Sequence, residues 1–319
     1  MRKALSLLVK AGVSGLLLYF SLRLVDLSHV ASRLARTDPA WAALGLLALV
    51  AQTYLLAVRW GQIITACGAR LPLPLLFRYS MIAAFFNQTL PSSVGGDAMR
   101  VWLAGKQTNW RIGAYSVFLD RVVGVIALAV LVVACLPWSL DLVRNPVGRA
   151  ALLIIGLGSL GAGIVFIALA SDRLHILQRW SVTRHLAAVA GVALTMLRSL
   201  STLVPVAFFS FLIHLLTVFV AWCAARAVGA DLSLLYALFL VLPVILVAIV
   251  PISIAGWGVR EGAMVAAFTY AGLPQTDGLI VSLLFGAAYL VLGVAGGAIW
   301  ILTSERADRQ AFAGPVGSE

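Results

Sequence analysis

The stretch "PSSVGGDAMR", residues 91–100, follows the apolar run "YSMIAAFF" and precedes "VWLAG". One Pro, two Ser, two Gly, an Asp and an Arg crowd ten positions of an otherwise greasy chain. Pro ends an incoming helix and Gly permits a turn. Lipid cannot hydrogen-bond a broken backbone, so such a stretch survives at membrane depth only against protein or a wet cavity. "PISIAGWGVR", residues 251–260, repeats it without gaps, again after an apolar run. The shared pattern is P-x-S-x-[GA]-G-x-x-x-R. It matches Pro91 with Pro251, Ser93 with Ser253, Gly95 with Ala255, Gly96 with Gly256 and Arg100 with Arg260. Matches at identical offsets favour an internal duplication over two unrelated loops.

Composition sets the solvent. Of 319 residues, 62% are hydrophobic and 11% charged, and the mean hydropathy is +1.04. Soluble domains carry about 25% charged residues, so this is an integral membrane protein. The net charge of +11 is read as the Lys/Arg excess of cytoplasmic loops. No basic block or aromatic-interleaved patch is present, so no nucleic-acid partner is expected. Cys67, Cys135 and Cys223 are scattered without CxxC or His/Cys spacing, which indicates neither a disulfide framework nor a metal site. No cofactor motif occurs. HExxH, GxSxG, a paired-carboxylate motif and a P-loop are absent as well, so an enzyme is not expected.

A spanning helix needs roughly 17 to 25 apolar residues. Six segments qualify: 4–22, 39–58, 114–136, 147–170, 202–224 and 279–303. Two more, 74–90 and 232–250, each run into a break. Residues 186–197 are apolar but short and flanked by arginines, as in an interfacial helix; a smaller one is expected at 26–37. Residues 1–304 form the membrane domain and 305–319 a short polar tail. With the N-terminus inside, fourteen Lys and Arg fall on cytoplasmic segments against seven outside, which favours cytoplasmic N- and C-termini. Three qualifying helices separate the two breaks, an odd number, so the copies enter from opposite faces. The expected fold is therefore all-α: about six spanning helices plus two broken or re-entrant hairpins in an inverted repeat, the architecture of many secondary transporters.

Ionisable residues inside a membrane are costly and usually functional. Asp97 fits two roles, helix N-cap or ligand contact. Arg100 fits a pair with Asp97, snorkelling, or a phosphate contact that Arg260 repeats. Glu261 stands in a half-helix first turn, where an acid is favoured. Asp120 and Arg121 stand near a helix start, as a buried pair or snorkelling residues. Lys10 reads as snorkelling, and His214 as a packing residue held by a hydrogen bond. The outgoing half-helices present unpaired N–H groups that suit phosphate.

The blocks "FFNQTLPSSVGGDAMRVWLAG", "VFLDRVVG" and "VPISIAGWGVREGA" carry a resemblance. The chain resembles, over roughly residues 1–304, the flippase-like membrane proteins typified by the transmembrane region of lysylphosphatidylglycerol synthase. The resemblance implies movement of charged or glycosylated lipids across the bacterial inner membrane. It carries over Pro91, Ser93, Gly95, Gly96, Asp97 and Arg100, then Asp120 and Arg121, then Pro251, Gly256, Gly258, Arg260 and Glu261. The full-length synthase adds a soluble C-terminal transferase where this chain has a short tail, so a separate lipid-modifying enzyme is an expected partner.

The resulting expectation is a lipid translocator. Two hairpins from opposite faces meet near the midplane. Arg100, Arg260 and the half-helix N-termini, with Ser93, Gly95, Gly96, Ser253, Gly256 and Gly258, hold a lipid phosphate. Asp97, Asp120 and Glu261, beside Arg121, hold the rest of the headgroup. A coupled transporter of a small solute and a non-transporting partner of a lipid-modifying enzyme are the alternatives.

Overall fold

The computed structural model describes residues 33–89, 95–143, 145–168, 181–249, 253 and 256–312. Its described elements are all helices: α1 Pro39–Ala66, α2 Leu73–Thr89, α3 Gly95–Gln107, α4 Trp110–Leu142, α5 Pro146–Ala168, α6 Ser181–Arg198, α7 Leu200–Ala227, α8 Leu234–Ala248, α9 Val259–Tyr270 and α10 Gln275–Phe312. Five are long and apolar enough to cross a bilayer: α1, α4, α5, α7 and α10 through Thr303. The protein is a polytopic all-α membrane protein. The expected span at 4–22 and most of the expected helix at 26–37 lie outside the described residues. Helix α10 runs to Phe312, so the polar tail begins as helix, not as loop.

Local sequence sets the helix starts. Asp38 caps α1 by accepting from the Ala40 N–H at 2.8 Å, with Pro39 in the first turn, where its missing N–H costs nothing. Asn109 caps α4 by accepting from the Ile112 N–H at 2.9 Å. Ser233 does the same for α8 with the Tyr236 N–H at 3.2 Å. Each cap satisfies an amide that the first helical turn leaves without a carbonyl.

The two broken segments have the dimensions of re-entrant hairpins. Helices α2 and α3 have 17 and 13 residues, and α8 and α9 have 15 and 12. At about 1.5 Å per residue these run about 18 to 26 Å, short of the roughly 30 Å hydrocarbon core. Helix α2 packs on α3, and α8 on α9. Close approach through glycine then docks each returning half-helix on the long helix after it. A Cβ at Gly113 of α4 would stand 2.7 Å from the Val101 carbonyl oxygen of α3, and one at Gly278 of α10 2.8 Å from the Met264 carbonyl oxygen of α9.

The bundle is pseudo-symmetric. Exchanging α1–α4 with α7–α10 maps each neighbour pair onto another observed pair. The α1–α2, α2–α3 and α3–α4 contacts become α7–α8, α8–α9 and α9–α10. The contacts α2–α10 and α1–α10 become α8–α4 and α7–α4, and α1–α7 maps onto itself. Duplication thus extends beyond the two ten-residue breaks to four helices on either side of α5 and α6. Small residues close the α1–α7 contact. A Cβ at Gly45 would lie 3.3 Å from Cys223 Cβ, and Ala48, Ala221, Ala224 and Ala225 are buried in the central cluster. Lipid is as apolar as leucine, so helices associate by such close van der Waals fit.

The apolar part of α6, Ala188–Arg198, is too short to be a candidate span. Its Val189 and Met196 pack on Ile63, Leu119 and Val206 from α1, α4 and α7. Three candidate spans therefore lie between the breaks, as the inverted reading requires.

Candidate functional site

In the first half, five charged side chains form one continuous chain. Arg59 of α1 donates through Nε to Asp120 Oδ1 at 2.8 Å, through Nη2 to the Asp120 carbonyl at 3.3 Å, and through Nη1 to Ser210 Oγ of α7 at 3.2 Å. Arg100 of α3 donates through Nη2 to Asp120 Oδ2 at 2.8 Å and lies 3.5 Å from Asp97 Oδ1 through Nη1. Arg121 Nε donates to Asp97 Oδ2. The order is Arg59–Asp120–Arg100–Asp97–Arg121. Consecutive positions on α4 explain its branching: Asp120 points into the bundle and is 1% exposed, whereas the Arg121 side chain is 45% exposed. Trp60, next to Arg59, lies flat under Arg100 at 4.2 Å and donates its indole N–H to Ser116 Oγ at 3.1 Å. Burying such charges is tolerable only when each is paired and hydrogen-bonded, and the alternation of signs does that.

The second half is smaller. Glu261 Oε1 accepts from Arg260 Nη2 at 2.6 Å, from Arg260 Nε at 3.1 Å and from Ser282 Oγ at 2.9 Å. Its Oε2 accepts from the Gly258 N–H at 2.6 Å. The Arg260 guanidinium also lies 4.9 Å from the Trp257 ring and 5.5 Å from that of Phe285, a cation–π setting. Gly256 and Gly258 have φ of 78° and 86°, the left-handed region that glycine enters without strain.

Both halves open into one cavity of about 860 Å³. The ends of both incoming half-helices reach it, through Asn87 and Gln88 of α2 and Ala248 of α8. So do both returning ones, through Asp97 of α3 and Arg260 of α9, with Gly256 between. Helix α4 adds Phe118 and Arg121, and α10 adds Phe285 and Tyr289. Ala98, Phe118 and Arg121 are exposed, so the cavity is open, not sealed. Arg121 stands twelve residues into the 33-residue α4, away from either end of a helix long and apolar enough to span. Cations beside an apolar wall suit a ligand with a charged head and an apolar body.

The structure sorts the expected site residues into three groups. Asp97, Arg121, Gly256 and Arg260 line the cavity. Arg100, Asp120 and Glu261 are buried behind it in ion pairs, and the arginines that reach the cavity are Arg121 and Arg260. Gly95 and Gly96 are also buried. Gly96 does not form the turn of the break. It is helical, its N–H already donates to Asn87 Oδ1 at 2.9 Å, and a Cβ there would run into the Ala83 carbonyl oxygen. The α9 N-terminus is likewise occupied, because Glu261 takes the Gly258 amide. Ser253 is buried, and its hydroxyl has no partner among the described residues. Pro91, Ser93 and Pro251 lie outside the described residues. His214 is the packing residue expected, with Nε2 at 2.9 Å from the Gly124 carbonyl oxygen.

Arg59 was not expected in the site. Read along the sequence it ends an apolar segment and looks like loop charge, but α1 continues two turns past it to Ala66. The continuation "WGQIITA" was the available signal.

Two short helical hairpins that share one charged cavity place the protein among polytopic membrane proteins built on paired broken helices. The family described as lysylphosphatidylglycerol synthase TM region matches residues 7–297. The chain belongs to this family, whose membrane domain is associated with lipid flippase and synthase function. No curated protein matches it.

Proposed function

We propose that the protein moves a polar phospholipid or glycolipid across the bacterial inner membrane. The observation that carries this reading is the open cavity to which each repeat brings a cation, Arg121 of α4 from one and Arg260 of α9 from the other. The lipid phosphate sits between them, its acyl chains stay in the bilayer, and the head alone takes the polar route. Glycine turns and small residues let backbone line the cavity without wasting its width. The site's charges are held in arginine–carboxylate pairs, an arrangement for holding a charged group. The protein therefore acts as a translocator, and a separate enzyme makes any modified lipid it carries.

Both termini are cytoplasmic in this reading. Arg59, Arg100 and Arg260 are buried and leave the loop count, which becomes twelve against six and keeps its two-to-one bias.

Reconstitution tests the proposal. Purified protein in vesicles holding a tail-labelled phospholipid should bring the inner-leaflet label to an external quencher. Arg121→Ala and Arg260→Ala should abolish that movement. A soluble-solute transporter would instead show uptake with no lipid movement, and a non-transporting partner would show neither.

A further inference from the structure

We propose that the cavity selects a lipid whose headgroup carries net negative charge, a phosphodiester with no compensating amine. This inference rests on the lipid reading above. Charge balance carries it. Among the described residues the two clusters hold Arg59, Arg100, Arg121 and Arg260 against Asp97, Asp120 and Glu261. Four cations face three anions, so one positive charge is left over. All except Arg121 are buried, at 8% exposure or less. A surplus charge at membrane depth is costly, and one added monoanion removes it. A zwitterionic headgroup leaves the surplus in place. An aminoacylated headgroup of net positive charge doubles it.

Geometry puts the surplus where a ligand can reach. Arg121 ends the five-residue chain and lines the cavity. Its Nε is held by Asp97, and among the described residues its Nη1 and Nη2 have no hydrogen-bond partner. An open guanidinium edge of this kind matches two phosphate oxygens. Asp97 occupies the remaining side of Arg121 as an internal competitor. It is not stranded when phosphate draws Arg121 away, because Arg100 Nη1 stands 3.5 Å from its other oxygen.

The test uses the purified full chain in detergent, titrated with short-chain phosphatidylglycerol, phosphatidylethanolamine and lysylphosphatidylglycerol, and with soluble glycerol phosphate. Binding is read as thermal stabilisation. Phosphatidylglycerol should act at the lowest concentration, with the zwitterionic and cationic lipids weaker by about tenfold or more, since unmatched charge costs at least that. Arg121→Gln removes the surplus and should erase the ranking while the protein stays folded. Equal or tighter binding of lysylphosphatidylglycerol overturns the proposal, as does a full response to glycerol phosphate. The same lipids in the vesicle assay separate the two readings. The anionic ranking without lipid movement upholds this inference and removes translocation. Movement that favours the cationic lipid does the reverse.

Discussion

Arg59 and Asp120 stand 61 positions apart in the chain, yet the Arg59 Nε–H meets Asp120 Oδ1 at 2.8 Å with both side chains buried. This pair locks α1 to α4 behind the cavity. Removing Asp120 leaves the buried Arg59 without a carboxylate, which costs about 3 to 5 kcal/mol, and removing Arg59 strips Asp120 of a buried donor and leaves it to Arg100 alone. Arg59→Ala and Asp120→Ala should therefore lower yield and melting temperature together. Arg121→Ala, at an exposed position, should melt near the wild-type temperature and lose only lipid movement. Equal melting temperatures for Arg59→Ala and Arg121→Ala would remove the structural role of the pair.

The two break glycines should fail differently. A Cβ at Gly96 meets the Ala83 carbonyl oxygen and comes within 2.6 Å of Asn87, so Gly96→Ala should accumulate poorly. At Gly256 the nearest atoms, on Ala248, lie 3.8 and 3.9 Å away, and the strain comes from φ of 78° alone. That strain is about 1 kcal/mol. Gly256→Ala should reach the membrane at near-normal levels and move lipid more slowly. Membrane yield of the two variants, measured side by side, decides the matter, and matching yields would contradict it.

Lysine should substitute unequally at the two cavity arginines. Arg121 offers one bonded nitrogen and an open edge, so Arg121→Lys keeps a point charge and should retain part of the activity. Arg260 engages Glu261 and Ser282 through two nitrogens and lies over Trp257, a geometry an ammonium cannot copy. Arg260→Lys should behave like Arg260→Ala. Comparable residual rates for the two lysine variants would show that planar geometry is irrelevant at both.

Opposite entry of the hairpins has its own check. Gln107 and Gln275 flank equivalent loops, α3–α4 and α9–α10, and both are exposed. Cysteines at these positions, in a background lacking Cys67, Cys135 and Cys223, should react with a membrane-impermeant label from opposite faces. Reaction from one face would end the inverted-repeat reading.

Much of this fold is legible in the sequence because membranes simplify the problem. Long apolar runs announce α1, α4, α5, α7 and α10, and Pro-Gly-Ser clusters announce the breaks, since no other residues end a helix so cheaply at depth. Asp97, Arg121 and Arg260, which line the cavity, stand out in the sequence for a related reason: polarity out of place. Arg59 was not, because a charge at the end of an apolar window looks like the membrane edge. Its partner lies on a helix whose proximity only the assembled bundle supplies. The role of Gly96 was hidden likewise. A turn glycine and a contact glycine are the same letter, and only the α2 backbone beside it tells them apart.

The pseudo-symmetry keeps one charge, Arg100 with Arg260, and stops at the carboxylates. Where the first break carries Asp97 the second carries Trp257, and where the second carries Glu261 the first has Val101. The molecule is thus redundant in shape and single-copy in the carboxylates of its breaks. Apolar substitutions spread over two equivalent frames have spare tolerance to draw on, whereas a lesion in the five-residue chain has no twin to back it up. Grafting one break onto the other's position would therefore give a chain whose helices still fit and whose cavity has lost its electrostatic identity.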